Sequence, residues 1–175
     1  KDPYTAGRQK RVQELSVAIA TDMGLGSEEI ENLSLGSLVH DIGKIFIADE
    51  ILAATDSLSK EDKQILREHP KKAYDFISEI ELPKVIPTMI LQHHERLDGS
   101  GYPLGLKSDE IILEARIIAV ADLVEAMNYN RAYRPAPGIK AALEEIQKYK
   151  GQKYDSNVVE TCLRLFNNKN FKFSK

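Results

Sequence analysis

The chain has 175 residues, of which 42% are hydrophobic, and this is enough for one compact domain with a sizeable core. Its formal net charge of −3 excludes the broad positive surface with which proteins bind duplex nucleic acid. No apolar run approaches the ~20 residues that a membrane-spanning helix needs, so we expect no membrane span in this segment.

The single cysteine, Cys162, cannot form a disulfide within the chain, which favours a reducing compartment and therefore the cytoplasm. Apolar residues surround it at helical spacing, so we predict that it is a core residue. The sequence starts at Lys1 rather than at an initiator methionine. We therefore expect residues 1–175 to form a single domain excised from a longer multidomain protein.

Apolar residues recur at helical spacing from the start of the chain. The first predicted helix ends at Gly24, because glycine commonly terminates helices. The second is predicted to begin with Ser27 as its N-cap, to run into the His40-Asp41 pair and to end near Gly43.

Residues 45–58 are predicted to be irregular. Ser59 and Asp62 stand three positions apart, which is typical of a capping box at the start of a short helix. Further helices are predicted after Pro70 and from Pro83 onward.

Residues 95–109 contain four glycine or proline positions and cannot form regular structure. Residues 111–127 are apolar on almost every side, which predicts a buried central helix. Two amphipathic helices, around residues 139–146 and 159–166, complete the chain. With no strand alternation and no internal repeat, the sequence predicts an all-α fold, a compact helical bundle.

All four histidines, His40, His69, His93 and His94, lie at or near predicted helix ends or loops. Asp41 follows the first of them, and the last two are adjacent to each other. Imidazole combined with carboxylate suits Fe, Mn, Zn or Ni, whereas a single cysteine excludes a thiolate site. One such histidine alone is more typical of a structural role, but four in these positions favour a metal site.

Asp122 is the only polar residue in the apolar stretch 117–124. An unpaired carboxylate in an apolar interior costs several kcal/mol, so it needs a partner or a proton. Arg116 lies too far round the same helix to be that partner. A metal ion and an arginine from elsewhere in the chain are the alternatives, and we favour the metal ion.

Residues 94–103 form a glycine-rich segment directly after the histidine pair. Its glycines permit positive φ angles and a close backbone approach to a ligand, and Tyr102 adds an aromatic face and a hydroxyl group. The segment could be only a tight surface loop. The neighbouring histidine pair favours a binding loop.

Three cationic side chains could meet a phosphate: Lys44, Arg131 and Arg134. Arginine grips phosphate through two parallel hydrogen bonds, and lysine acts as a point charge or proton donor. If the candidate metal ligands were absent, the simpler interpretation would be that these three side chains lie on the solvated surface.

These residues resemble a known family. Residues 40–44, HDIGK, resemble the HD-plus-lysine motif of the HD metal-dependent phosphohydrolases, and residues 93–103, HHERLDGSGYP, resemble the HHExxDGxGYP signature of the HD-GYP subgroup, the cyclic di-GMP phosphodiesterases. Residues 2–12 and 121–134 resemble the opening helix and the next block of that subgroup. The resemblance therefore covers nearly the whole chain.

The resemblance implies an HD-type helical bundle that hydrolyses cyclic di-GMP to pGpG or GMP with bound iron or manganese. Carried over by position, the metal ligands would be His40, Asp41, His69, His93, His94 and Asp122, with Asp41 bridging two ions. Asp41 and Lys44 would be catalytic, and the substrate contacts would be Lys44, Gly101, Tyr102, Arg131 and Arg134. An upstream receiver or sensor domain of a signalling protein and diguanylate cyclase partners are also implied.

The chain departs from this pattern at Arg8, where family members generally have a histidine ligand. A guanidinium stays protonated and has no lone pair to offer a metal, so Arg8 could instead pair with Asp41 or Asp122. Tyr4 stands where an acid sometimes serves a third metal. We therefore expect one or two metal ions per chain, with reduced activity.

Three functions remain open. The chain could be a working cyclic di-GMP phosphodiesterase that tolerates Arg8, a weak or inactive module that binds cyclic di-GMP or a protein partner, or a phosphohydrolase of another nucleotide. The glycine-rich loop and the arginine pair favour the first two. We favour the phosphodiesterase, because the ligand set is retained at every position except one.

Overall fold

The computed structural model of the chain describes residues 3–54, 58–129 and 136–174. These residues form nine α-helices and two short 3-10 helices, and they contain no sheet. The α-helices are α1 (Pro3–Met23), α2 (Ser27–Val39), α3 (Asp49–Leu52), α4 (Lys60–Leu66), α5 (His69–Ser78), α6 (Val85–Gln92), α7 (Leu113–Asn128), α8 (Ile139–Lys148) and α9 (Ser156–Asn168). The all-α prediction is therefore confirmed for these residues. Arg131, Arg134 and the side chain of Tyr4 lie outside the described part of the chain.

Helix α7 is the centre of the bundle and packs against α1, α6, α8 and α9. Its apolar side chains have no exposed surface at Ile117, Ile118, Val120, Ala121 and Val124. Burying one large aliphatic side chain stabilises a fold by about 1.5–3 kcal/mol, so this helix anchors the core. The predicted buried central helix is confirmed, and it begins at Leu113.

Helices α1 and α2 are joined by a short turn and pack against each other. Helix α1 ends at Met23 because Gly24 adopts a φ of +79°, a conformation that favours glycine. The N-cap of α2 is Gly26, whose N–H donates to Glu29 Oε2 at 2.7 Å. The predicted N-cap, Ser27, is the first helical residue instead, so that prediction was wrong by one position.

The His40-Asp41 pair lies at the junction between α2 and a 3-10 helix, Ile42–Phe46. Helix α2 was predicted to continue to Gly43, but it ends at Val39. The tighter 3-10 turn brings Gly43 against the first residue of α5. This contact sets the distance between the end of α2 and the start of α5.

The segment predicted to be irregular contains the short helix α3, so that prediction was partly wrong. The predicted capping box is confirmed, because Ser59 Oγ accepts the Asp62 N–H at 3.0 Å and Asp62 Oδ2 accepts the Ser59 N–H at 3.3 Å. Helix α5 then begins at His69, with Pro70 in its first turn.

Helices α8 and α9 close the core with amphipathic faces. Cys162 in α9 is fully buried, and burial raises the pKa of its thiol to about 12. Cys162 is therefore a core residue, as predicted. Among the described residues, no helix combines the length and the apolar character that crossing a membrane requires.

Candidate metal centre

Three helix ends converge on one buried site. His40 and Asp41 follow α2, His69 is the first residue of α5, and His93 and His94 follow α6. One ligand atom from each of four residues lies within 4.8 Å of the other three: Asp41, His69, His93 and His94. These four residues are called the histidine cluster below.

The rings of His40, His69 and His93 are held in the same way. Each Nδ1 lies 2.6–2.8 Å from the backbone carbonyl three residues earlier in the chain. Because a carbonyl oxygen can only accept, each Nδ1 donates its hydrogen and the lone pair of a neutral ring is on Nε2. Metal-binding histidines are commonly oriented by such a second hydrogen bond.

The atoms that face one another in the cluster have no hydrogen-bond partner. They are Nε2 of His69, Nε2 of His93 and Oδ1 of Asp41, and all three are buried. Asp41 Oδ1 lies 3.2 Å from Nε2 of His69 and 4.0 Å from Nε2 of His93. An unsatisfied buried polar atom costs about 1–3 kcal/mol, and a shared cation would satisfy all three. These donors fit a divalent metal ion.

The protonation states of the cluster also suit a metal. Burial, together with the neighbouring rings, lowers the pKa of His93 well below its ordinary value, and burial lowers the pKa of His94 to about 3. Both rings therefore keep a free lone pair at neutral pH. Burial opposes ionisation of Asp41, but Lys44 and His40 hold the pKa of that carboxyl well below its usual range. A metal requires deprotonated ligands of this kind.

The other two predicted ligands, His40 and Asp122, lie on the opposite side of Asp41, around Arg8. Arg8 donates to Asp41 Oδ2 at 3.0 Å and to Asp122 Oδ1 at 2.6 Å. His40 Nε2 is 3.5 Å from both of these oxygens, which is too long for a strong hydrogen bond. The six predicted ligands therefore form two groups. Asp41, His69, His93 and His94 form the histidine cluster, and His40 and Asp122 lie near Arg8.

The charges around Asp122 explain how an acid is accommodated in an apolar helix. Burial would raise its pKa, but Arg8 and His40 hold the pKa of Asp122 well below its usual value. Asp122 in turn raises the pKa of Arg8, against the effect of burial. Of the two partners considered for Asp122, the described residues provide an arginine from another helix. Arg116 pairs with Asp155 at 3.0 Å instead.

Lys44, predicted to be catalytic, lies beside the site. Its Nζ donates to Asp41 Oδ2 at 2.6 Å, and its side chain is partly exposed. Lys44 therefore joins the buried carboxylate to the protein surface.

The glycine-rich loop is folded around one buried acid, Glu95. Its carboxylate accepts the N–H of Leu104 at 2.7 Å and the N–H of Leu106 at 3.0 Å. A Cβ on Gly101 would lie 2.4 Å from the Cα of Glu95, so only glycine fits there. This role of Glu95 was not predicted, although its position directly after the histidine pair was the available signal.

Tyr102, predicted to border the substrate, lies against the cluster. Its ring stacks on His94 with centroids 4.7 Å apart. The guanidinium carbon of Arg67 lies 5.3 Å from the centre of the same ring. Arg67 was also missed, since it lies in the turn between α4 and α5 with no motif around it.

A helical bundle that gathers a His-Asp pair and three further imidazoles at converging helix ends is the arrangement of a metal-binding HD domain. The family described as HD domain matches residues 1–158 of this chain. The chain therefore belongs to the HD-domain family, as its sequence resemblance predicted.

Curated relatives extend this result. The chain is 34% identical over 166 residues to the cyclic di-GMP phosphodiesterase response regulator RpfG of Xanthomonas campestris, which covers 94% of this chain and 44% of the relative. It is 36% identical over 167 residues to a cyclic di-GMP phosphodiesterase of Thermotoga maritima, covering 94% of the chain and 45% of the relative. A 3'3'-cGAMP-specific phosphodiesterase 3 of Vibrio cholerae is 35% identical over 143 residues, covering 82% and 31%. The chain thus spans less than half the length of these relatives.

Solved structures show the same fold. A HDG"Y"P protein from Bdellovibrio bacteriovorus superposes with a TM-score of 0.77 at 20% identity, covering 94% of this chain and 53% of that one. The HD domain of the Listeria monocytogenes phosphodiesterase PgpH gives a TM-score of 0.66 at 19% identity, covering 98% and 95%. The predicted HD-type helical bundle is therefore confirmed.

Proposed function

We propose that this chain is a metal-dependent phosphodiesterase that hydrolyses cyclic di-GMP. The observation that carries the proposal is the histidine cluster, in which buried Nε2 and Oδ1 atoms face one another without a hydrogen-bond partner. The names of the relatives support the substrate, because several are cyclic di-GMP phosphodiesterases.

The cluster supplies the position for the metal, and we propose iron or manganese because both accept imidazole and carboxylate ligands. When bound, a divalent metal supplies Lewis-acid chemistry that makes water a nucleophile near neutral pH. The water oxygen attacks phosphorus, the bond from phosphorus to one ribose oxygen breaks, and that oxygen takes up a proton. The product is linear pGpG, and a second hydrolysis gives GMP.

Side chains around the cluster have complementary roles in this proposal. Asp41 would help to hold the metal, and Lys44 beside Oδ2 would offset negative charge that develops on the phosphate. Tyr102 and Gly101 border the guanine base. Arg131 and Arg134, proposed from the family resemblance, complete the phosphate contacts.

A second candidate function is a regulatory module that binds cyclic di-GMP or a protein partner without turnover. The observation that favours it is Arg8, which joins Asp41 to Asp122 where two of the predicted ligands lie. Loss of one metal position can reduce or abolish catalysis while leaving the glycine-rich loop available for binding.

We also propose that the single domain formed by residues 1–175 works within a longer cytoplasmic signalling protein, under an upstream receiver or sensor domain. Support comes from the relative whose name includes response regulator, and from the lone buried thiol, Cys162. Diguanylate cyclases would be functional partners, since some enzyme must supply the substrate.

The test combines metal analysis with product analysis. Anaerobically purified chain is assayed for bound metal and, with Fe²⁺ or Mn²⁺ added, for hydrolysis of cyclic di-GMP, 3'3'-cGAMP and cyclic di-AMP. We expect metal to be bound and pGpG to form from cyclic di-GMP. His93→Ala should lose both metal and turnover, because it removes a cluster ligand.

Three outcomes separate the alternatives. Binding of cyclic di-GMP to metal-loaded chain without product supports the regulatory module. Faster cleavage of another dinucleotide moves the substrate assignment to that compound. Unchanged metal content in folded His93→Ala contradicts the proposed site.

A further inference from the structure

Arg8 is surrounded by carboxylates from two other parts of the chain. Besides Asp41 and Asp122, its Nε lies 3.4 Å from Oε2 of Glu125, about one turn further along α7. Each guanidinium nitrogen thus faces an acidic oxygen, although Nε makes no hydrogen bond, and the side chain is only 24% exposed. Charge-assisted contacts of this kind are the strongest that an arginine makes.

A second arginine braces this arrangement. Arg11 donates from Nε and Nη2 to Oε1 of Glu125, at 3.0 and 2.7 Å, and leaves Oε2 facing Arg8. The guanidinium carbon of Arg11 lies 3.8 Å from the centre of the Tyr129 ring. Arg8 and Arg11 lie about one turn apart on the same face of α1. Arg8 therefore belongs to a network of ion pairs that also contains Arg11 and Glu125, and it is not an isolated side chain in an otherwise unoccupied site.

The formal charges on this side of the site balance without a metal ion. Three cationic side chains face three carboxylates: Arg8, Arg11 and Lys44 against Asp41, Asp122 and Glu125. A divalent ion between Asp41 Oδ2 and Asp122 Oδ1 would touch the guanidinium, and like charges repel strongly in a poorly hydrated site. A guanidinium also has no lone pair with which to bind that ion.

The histidine cluster differs in its charge. Nε2 of His69 and His93 and Oδ1 of Asp41 lack hydrogen-bond partners, as Nε2 of His40 does on the arginine side, but the ligand set of the cluster contains no cationic side chain. Asp41 therefore presents one oxygen to a site that fits a metal and the other to a site already filled by a fixed cation.

We propose that Arg8 takes the place of one metal ion, so that this chain binds a single divalent ion, at the histidine cluster. The inference rests on the proposed function in one respect, because it takes the cluster to be the metal site. Arg8 is a positioning residue: it holds Asp41 Oδ2 so that Oδ1 is directed to the cluster, and Glu125 with Arg11 keeps Arg8 in place.

The test is manganese stoichiometry, measured by elemental analysis after anaerobic loading and removal of free ion. We expect about one Mn²⁺ per wild-type chain and about two in Arg8→His, because the imidazole supplies a lone pair and releases Asp122 Oδ1, while Asp41 Oδ2 loses one of its two cationic donors and keeps Lys44. Arg8→Lys is the matched control: it keeps the charge without a free lone pair and should stay at about one. Adding Asp122→Asn to Arg8→His should return the count to about one.

Electron paramagnetic resonance gives a second readout that does not depend on turnover, since an isolated Mn²⁺ ion and a coupled pair differ in their spectra. Two ions in the wild-type chain, or one in a folded Arg8→His chain, would overturn the inference and leave the proposed phosphodiesterase intact. No bound manganese in the wild-type chain would overturn the proposed metal site and the inference with it. The wild-type result decides the question even if Arg8→His does not fold.

Discussion

Gly43→Ala tests whether the contact between the end of α2 and the start of α5 sets the geometry of the cluster. A Cβ on Gly43 would lie 1.9 Å from the backbone oxygen of His69 and 2.9 Å from the backbone nitrogen of Ala73. Real Cβ atoms essentially never approach closer than 3.0 Å, so the two segments must separate by about 1.1 Å or more. The atoms in the way are backbone, and a side-chain rotation cannot relieve the clash.

This separation would move His69, whose Nε2 is 3.2 Å from Asp41 Oδ1. We expect a loss of about 2–3 kcal/mol in the free energy of unfolding, typical of a forced overpacking, and a Tm lower by about 5–10 °C. Because the ligands are displaced, we also expect Mn²⁺ affinity to fall by about 10–100-fold. Thermal unfolding and calorimetric metal titration measure the two effects.

Gly36→Ala is the matched control. Its Cβ would lie 2.0 Å from Met89 Sδ and 2.9 Å from Met89 Cγ, which belong to a flexible side chain that can change rotamer and not to the backbone. Alanine is also favoured over glycine inside a helix by about 0.5–1 kcal/mol. We expect a smaller change in Tm and unchanged metal affinity. If Gly43→Ala kept the wild-type Tm and metal affinity, this contact would not be what positions His69.

Three further predictions follow from other parts of the structure. Glu95→Gln leaves one of two loop N–H groups without an acceptor, so we expect faster hydrogen exchange in the loop and about 1–3 kcal/mol weaker cyclic di-GMP binding at similar metal content. The thiol of Cys162, with a pKa of about 12, should react with a disulfide reagent at pH 8 only after unfolding. Arg116→Ala removes the partner of Asp155 and two donors to backbone carbonyls, and should lower stability by about 1–3 kcal/mol without changing metal stoichiometry. Unchanged hydrogen exchange in the loop of Glu95→Gln would contradict the first prediction. Reaction of the Cys162 thiol in the folded protein would contradict the second, and loss of bound metal in Arg116→Ala would contradict the third.

Much of the fold could be predicted because helical periodicity and glycine positions are local properties of the chain. The first helix ends at Met23, directly before Gly24, the capping box forms at Ser59, and the apolar segment 111–127 contains the buried helix α7. The error at the end of α2 has a non-local cause. The 3-10 helix that follows it packs against α5, and periodicity does not report such packing.

The chemistry of the site was determined by residue types alone. Histidines next to an aspartate, a glycine-rich loop and one isolated acid in an apolar helix are visible without coordinates. That Arg8 cannot bind a metal also follows from its guanidinium, whatever its surroundings.

Only the tertiary structure decided how these residues divide. It directs Asp41 Oδ1 to three imidazoles and Oδ2 to Arg8, and it places Glu125 and Arg11 behind that arginine. These contacts join residues up to 117 positions apart in the chain. The sequence determined which groups could bind a cation. The partner of a buried charge depends on which helices pack together, so the packing of α1 against α7 decided which of these groups remain available to a metal ion.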